Sequence, residues 1–350
     1  MFRPKEASRP GPIVPGTVPL EIRFISGYDV ESLELSRRDI FGAVEAAVRA
    51  QGEGRVVLEP RTHLVPPNDG AGHFNILRAH LGPQRVSGVK VVGDFVTNYL
   101  RGLPSELGLV TLYDPDTGAP LAIIDATDLT SARTGAVTAL GARHLARPGS
   151  KVLGHIGARG TAWWNIAMLD DLCDLEQIRV TSARPESREA LAAELSTALG
   201  KEVQAVATPE EAMAGADIMV EASRLVEPEV LLRTEWVTPG SLVVPYGTVS
   251  AVELSLTDVM DKVVVDDWGQ AQAGRFGALR EHIDKRLVTR ENLHAELGDI
   301  VAGTAPGRES NEERILFWHR GLATTDVAVA HLILQRAEQR EIGTLLPYRR

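Results

Sequence analysis

From Leu153 to Ala162 the chain reads Leu-Gly-His-Ile-Gly-Ala-Arg-Gly-Thr-Ala. An apolar, strand-like run (Val152–Ile156) leads into this turn, and a helix-like run (Ala162–Leu172) follows it. A bound pyrophosphate needs that layout: a tight turn, close backbone approach, and a helix N-terminus with free N–H groups and partial positive charge. The pattern G-x-G-x-x-G/A runs through Gly157, Arg159 and Ala162, with Arg159 in place of the second glycine. The match is imperfect, and Arg159 adds a cation beside a phosphate. Alone, such a turn also suits a ligand-free connection; inside a strand–turn–helix–strand unit it points to a dinucleotide. Gly157, Ala158, Arg159, Gly160, Thr161 and Ala162 are the residues expected there.

The tip of the next strand chooses the cofactor. An acidic residue there binds the ribose 2′-hydroxyl of NAD, and arginine accommodates the 2′-phosphate of NADP. The segment Thr181-Ser-Ala-Arg-Pro-Glu-Ser-Arg188 has no carboxylate at the tip itself. Ser182, Arg184 and Arg188 are placed to surround a phosphate, so NADP is favoured over NAD. The plainer reading is a solvated arginine pair on a surface helix.

Three further groups have chemistry to offer. Lys90 sits in an apolar strand, where a buried ammonium is costly unless paired or used. His319 titrates near neutrality if unperturbed and is a candidate general acid; the rival reading is a structural histidine beside Trp318. Asp326 follows Thr324-Thr325 and reads as a cap of the last helix, ahead of a place near a nicotinamide. Cys173, the single cysteine, lies in an apolar run without basic neighbours and reads as a buried thiol, not a nucleophile. One cysteine allows no internal disulfide, which suits a reducing cytoplasm. No metal site is expected.

These groups must be held by a scaffold. At 350 residues the chain is long enough for two domains. The net charge of -10 argues against a nucleic-acid backbone or an anionic membrane as main partner, since both need basic patches. The Pro-rich start lacks an apolar signal-peptide core and reads as an arm. No window approaches the roughly 18 apolar residues of a membrane span. A first helix is expected from the capping pair Ser36 and Asp39 and the spacing of Ile40, Val44, Ala47 and Val48. Strands follow at Val56–Leu58, Val86–Val92, Leu109–Tyr113 and Leu121–Ile124, the last two joined by the turn Asp114–Gly118. A helix over Thr130–Leu145 precedes strands at Val152–Ile156, Ile178–Ser182, Val203–Ala207, Ile218–Glu221, Leu242–Val244 and Val263–Val265. Helices at Ala162–Leu172 and Ser187–Leu199 separate the first three of these. That alternation predicts an α/β, Rossmann-type doubly wound parallel sheet, preceded by an α+β N-terminal domain. A final helix is expected over Asp326–Arg340.

Several blocks resemble the ornithine cyclodeaminase/μ-crystallin family: Gly88-Val-Lys-Val-Val92, Asn98, Gly102-Leu-Pro104, Leu112–Ala122, Leu129–Ala136, Glu296–Gly303, Gly307-Arg308 and Gly321–Asp326. The likeness runs from about residue 55 to the C-terminus. The resemblance implies an N-terminal domain for substrate and dimerisation, residues 1–131 with 325–350, and a dinucleotide domain, 132–324. It implies that Arg61, Lys90 and Arg133 hold a substrate carboxylate, as suits a planar, bidentate guanidinium. It further implies that Arg133, Thr134, Ala222, Ser223, Tyr246, Gly247, Thr248, His319 and Gly321 meet the cofactor.

Two departures set the chain apart from the cyclodeaminases of that family. Thr248 stands after Gly247 where they carry an aspartate, and Asn75 aligns near their glutamate. The expected activity is therefore NAD(P)-dependent oxidoreduction at the C–N bond of a small imino or amino carboxylic acid, with Lys90 and His319 as catalytic candidates and Asn75 among the substrate-binding residues. A cyclodeaminase with tightly held NAD is the runner-up, and a non-catalytic small-ligand binder of the crystallin kind comes third. A homodimer is the expected assembly.

Overall fold

The computed structural model describes residues 19–67, 72–225, 227–273 and 276–349. The expected N-terminal arm lies, through residue 18, outside them.

The first half of the chain forms β1 (Leu20–Ile25), α1 (Gly27–Ser32), α2 (Arg37–Gly52), β2 (Val56–Leu64), β3 (His73–Leu81), β4 (Val86–Asp94), β5 (Glu106–Tyr113) and β6 (Pro120–Asp125). The Ser36–Asp39 capping box is present at α2, and Ile40, Val44, Ala47 and Val48 are buried. Strands β2 to β6 make an antiparallel meander. Strand alternation sends every second side chain to one face. In β3 the inward set is His73, Asn75, Leu77, Ala79 and Leu81. Register places Leu77 beside Lys90, Asn75 beside Val92 and His73 beside Asp94.

Helix α3 (Thr127–Leu145) leads to the second sheet. There β7 (Val152–Ile156), α4 (Ala162–Cys173), β8 (Gln177–Thr181), α5 (Pro185–Leu199), β9 (Val203–Ala205), α6 (Pro209–Met213), β10 (Ile218–Glu221), β11 (Leu242–Pro245) and β12 (Lys262–Val265) follow in order. After α7 (Trp268–Gln272) and α8 (Arg280–Asp284) come β13 (Ala295–Glu296), α9 (Leu297–Ala302), β14 (Ile315–Trp318), α10 (Ala323–Gln339) and β15 (Thr344–Arg349). The second sheet has eight parallel strands in the order β13-β12-β14-β11-β10-β7-β8-β9. The order reverses between β7 and β10. In open α/β sheets the crevice outside the carboxyl ends of the strands at such a point binds ligands.

The last strand returns to the first sheet. Strand β15 pairs with β1, completing seven strands in the order β15-β1-β6-β5-β4-β3-β2. Helix α10 packs on the inward face of β3, β4 and β5. The divisions expected at 131/132 and 324/325 fall inside α3, which packs against β5 of the first sheet and β11 and β14 of the second, and inside α10, which packs against β2 to β5. The structure corrects the capping role given to Asp326. Leu322 occupies the N-cap position without a side-chain cap, and Asp326 lies inside α10 with no exposed surface. A carboxylate so buried must answer distant cations. No helix among the described residues is long and apolar enough to cross a membrane.

Candidate active site

The cleft between the sheets opens over the inward face of β3–β5 and the carboxyl ends of β7, β10 and β11. Lys90 lies on its floor, fully buried in β4, and its Nζ donates to Asp326 Oδ1 at 2.8 Å. From α3, Arg133 Nε donates to the same oxygen at 2.7 Å. Burial favours the neutral form of a lysine, and the Lys90 ammonium is pushed down to about 8 despite Asp326. Burial acts on Asp326 the other way, but Arg133 and Lys90 outweigh it and hold the carboxylate below its ordinary value. Two cations thus share one anion. The surplus positive charge faces the cleft.

Arg61 reaches the same cleft from β2. Its guanidinium donates to the carbonyls of Arg320 and Gly321, and its backbone N–H donates to Gln270 Oε1 at 3.2 Å. Burial lowers its value to about 10. Gly321 is required here. Its φ is +76°, and a Cβ would stand 1.9 Å from Arg133 Nη1.

The glycine turn lies at the reversal of strand order. Gly157 has φ +109°, and a Cβ there would meet the Ala222 carbonyl at 2.8 Å. At Gly157 the turn therefore approaches the end of β10 more closely than any side chain allows, and the free N–H groups of α4 follow it. Gly160 and Thr161 face the cleft, with Ala222 and Ser223 after β10, and Gly247 and Thr248 after β11, across from them. Ala158 and Ala162 pack beneath. These features fit a dinucleotide. Thr134 lies next to Arg133 on α3 and also lines the cleft.

At the end of β8, Arg188 Nη1 donates to the Ser182 carbonyl at 2.9 Å, and Ser182 Oγ donates to the Arg184 carbonyl at 2.9 Å. The Arg184 guanidinium stacks 4.1 Å from the Tyr99 ring, and that of Arg159 lies 5.3 Å from the same ring.

His319 follows β14. Its Nε2 lies 2.9 Å from Thr138 Oγ1, and its ring stacks on Tyr246 at 4.7 Å. Complete burial, helped by Arg133, lowers its value to about 3. Burial favours the uncharged ring at neutral pH, which speaks against a role as an imidazolium acid. Tyr246 accepts from Asn165 Nδ2 and lies 2.7 Å from Thr161 Oγ1. It braces β11 against the start of α4. Asn75 hydrogen-bonds to His63 and His73 at the far end of the cleft. Cys173 stands outside the cleft, with burial pushing its thiol up to about 11.

Sequence reasoning missed Asp94, Glu106 and Arg224, which also line this cleft. Asp94 and Glu106 lie opposite each other on β4 and β5. The two-residue periodicity from Lys90 through Val92 was available to place Asp94 on the same face.

The geometry defines a class: a doubly wound dinucleotide fold joined to a sheet that offers cations for a carboxylate. The chain belongs to the ornithine cyclodeaminase/mu-crystallin family, whose model matches residues 22–341. It is 31% identical over 332 residues to an alanine dehydrogenase of Archaeoglobus fulgidus, covering 94% of this chain and 99% of that protein. It is similar to the structure of Thermococcus litoralis Delta(1)-pyrroline-2-carboxylate reductase in complex with NADH and L-proline, with TM-score 0.86 and 29% identity, covering 92% of this chain and 99% of that one. An archaeal alanine dehydrogenase dimer with bound NAD matches with TM-score 0.85 and 30% identity, covering 94% of this chain and 100% of that one.

Proposed function

We propose that this protein is a nicotinamide-dinucleotide-dependent oxidoreductase acting on the C–N bond of a small imino or amino carboxylic acid. The observation that carries the reading is the sharing of Asp326 by Lys90 and Arg133, beside a turn whose Gly157 leaves no room for a side chain. Arg133 and Lys90 hold the substrate carboxylate, with Arg61 at the rim. Asn75 borders the substrate. Gly160, Thr161, Ala222, Ser223, Gly247 and Thr248 hold the dinucleotide, with Thr134 and His319 at its nicotinamide end. The bound nicotinamide supplies or accepts the hydride. The protein's own part is to fix the reacting carbon by its carboxylate and to surround the C=N bond with positive charge. Lys90, pushed down to about 8, and Asp94, pushed up to about 6, are cleft groups that titrate near neutrality. His319, held neutral, shapes the wall against Tyr246.

The arginines at the end of β8 favour NADP over NAD, while the similar structures named above hold NADH and NAD. Homodimer assembly is part of the same reading. Val91 and Leu109 are register partners, and with Leu107 they expose apolar surface on the outward face of the first sheet. The lyase alternative lacks a carboxylate at Thr248 and at Asn75.

The test is a screen of cyclic and acyclic imino acids with NADPH and NADH, alongside titration of each cofactor by tryptophan fluorescence. Oxidation of the reduced cofactor by one imino acid class is expected. Tight cofactor binding with no oxidation across the screen would overturn the reading. Ammonia release without net redox change would replace it with the lyase.

A further inference from the structure

Beyond Lys90, the same face of the first sheet carries a second charge cluster that carboxylate binding does not use. Asp94 and Glu106 are direct cross-strand partners of the β4–β5 ladder. Like charges facing each other across a ladder repel. Arg224, from the loop after β10, answers both. Its Nη2 donates to Asp94 Oδ2 at 3.0 Å and to Glu106 Oε1 at 2.6 Å, and its Nη1 donates to Ser105 Oγ at 2.8 Å.

Two carboxylates on one guanidinium leave a surplus negative charge. They also leave acceptors without donors. Asp94 lines the cleft with its side chain only 7% exposed, and its Oδ1 is buried with no hydrogen-bond partner among the described residues. Glu106, 22% exposed toward the cleft, accepts hydrogen bonds among the described residues only through Oε1. Lys90 and Arg133 act on Glu106 from farther along the cleft, whereas Arg224 is the cation that acts on Asp94. His63, His73 and Phe276 form an aromatic group, with ring centroids 4.4 Å apart for His73 and Phe276 and 5.3 Å for the two histidines. Burial lowers both histidines, so they stay neutral at pH 7.

Spacing separates this cluster from the carboxylate end. Four residues of strand at roughly 3.3 Å each put the Lys90 and Asp94 backbones about 13 Å apart. Asn75, Val92 and Gly108 form the row between. A ligand's α-nitrogen stays near its carboxylate at Lys90 and Arg133. Only the end of a side chain several atoms long reaches Asp94 and Glu106.

We propose that Asp94, Glu106 and Arg224 are the specificity-determining residues of the cleft, selecting an amino or imino acid whose side chain ends in a hydrogen-bond donor, ammonium ahead of amide, and excluding a second carboxylate. The inference rests on Lys90 and Arg133 as the α-carboxylate site. An ammonium brings donors to both idle acceptors and balances the charge. An apolar end leaves those acceptors dry. A second carboxylate puts three anions around one guanidinium.

The test is titration calorimetry of the dinucleotide-loaded protein with four L-amino acids of matched length: ornithine, glutamine, norleucine and glutamate. Turnover is followed in the same samples. Ornithine is expected to bind at least tenfold tighter than glutamate, with glutamine between. Asp94→Asn should erase the advantage of ornithine over glutamine while cofactor affinity is unchanged, and Glu106→Gln should repeat the effect if Asp94→Asn fails to fold. Equal or tighter binding of glutamate or norleucine, or an unchanged ranking in both variants, overturns the proposal. The expected ranking without turnover would sink the oxidoreductase reading and leave the selectivity standing. Turnover with an inverted ranking would sink the selectivity alone, and failure of all four to bind would sink both.

Discussion

Lys90 Nζ stands 2.8 Å from Asp326 Oδ1, and neither side chain has any exposed surface. Arg133 donates to that same oxygen, while Asp326 Oδ2 has no partner among the described residues. One carboxylate thus stabilises two cations drawn from a strand and a helix far apart in sequence. Removing one partner of a buried ionic group leaves uncompensated charge, which costs about 3–5 kcal/mol. Asp326→Ala should lose stability of that order in urea unfolding. A loss below about 1 kcal/mol would show that neither Lys90 nor Arg133 depends on this carboxylate.

Lys90 also sets a pH limit. Its ammonium is depressed to about 8 by burial, so the cation is lost as pH rises through that value. The KM of a carboxylate substrate should climb above about pH 8, roughly tenfold per unit, with kcat changing less. Lys90→Met should raise KM at pH 7 and flatten that limb of the profile. A limb that persists in the variant would assign it to another group.

Gly157 is an exacting position of the glycine turn. Its φ of +109° disfavours any side chain, and a Cβ would press on the Ala222 carbonyl. Gly157→Ala is expected to weaken dinucleotide binding tenfold or more, equivalent to about 1.4 kcal/mol. Fluorescence titration measures this, with far-UV circular dichroism confirming an intact fold. Unchanged affinity would move the phosphate site away from this turn.

The apolar outward face of the first sheet predicts its own outcome. Leu109 is 47% exposed and Val91, its register partner, 42%. Leu109→Asp should shift the mass in light scattering from dimer to monomer. A monomeric parent protein would refute the assembly outright.

Much of the second sheet was legible because its strands are buried apolar runs, but β14 (Ile315–Trp318), central and fully buried, was not placed. Strands β7 and β10 lie where the sequence placed them, at Val152–Ile156 and Ile218–Glu221. Strand β3 was not legible. Its inward positions include His73 and Asn75, since that face lines a polar cleft and breaks the apolar alternation. Strand β15 is exposed throughout and contains Pro347, so neither burial nor propensity marks it. The glycine turn could be read because its chemistry is local. The partners of Lys90 could not: Asp326 lies 236 residues away, and beside two threonines a carboxylate resembles a cap. Arg224 was hidden for the same reason, since its two carboxylates lie on strands of the other sheet.

The chain closes its first sheet with its last strand, β15 on β1, and α10 brings the carboxylate that Lys90 and Arg133 share. During synthesis the dinucleotide sheet, complete by β14, can form while the meander still lacks its neutralising group. Domains tend to fold as units in order of emergence, but here the unit begun first must finish second. Until α10 arrives, two unmatched cations keep the early sheet from packing dry. The substrate half therefore matures on a template that the cofactor half has already built.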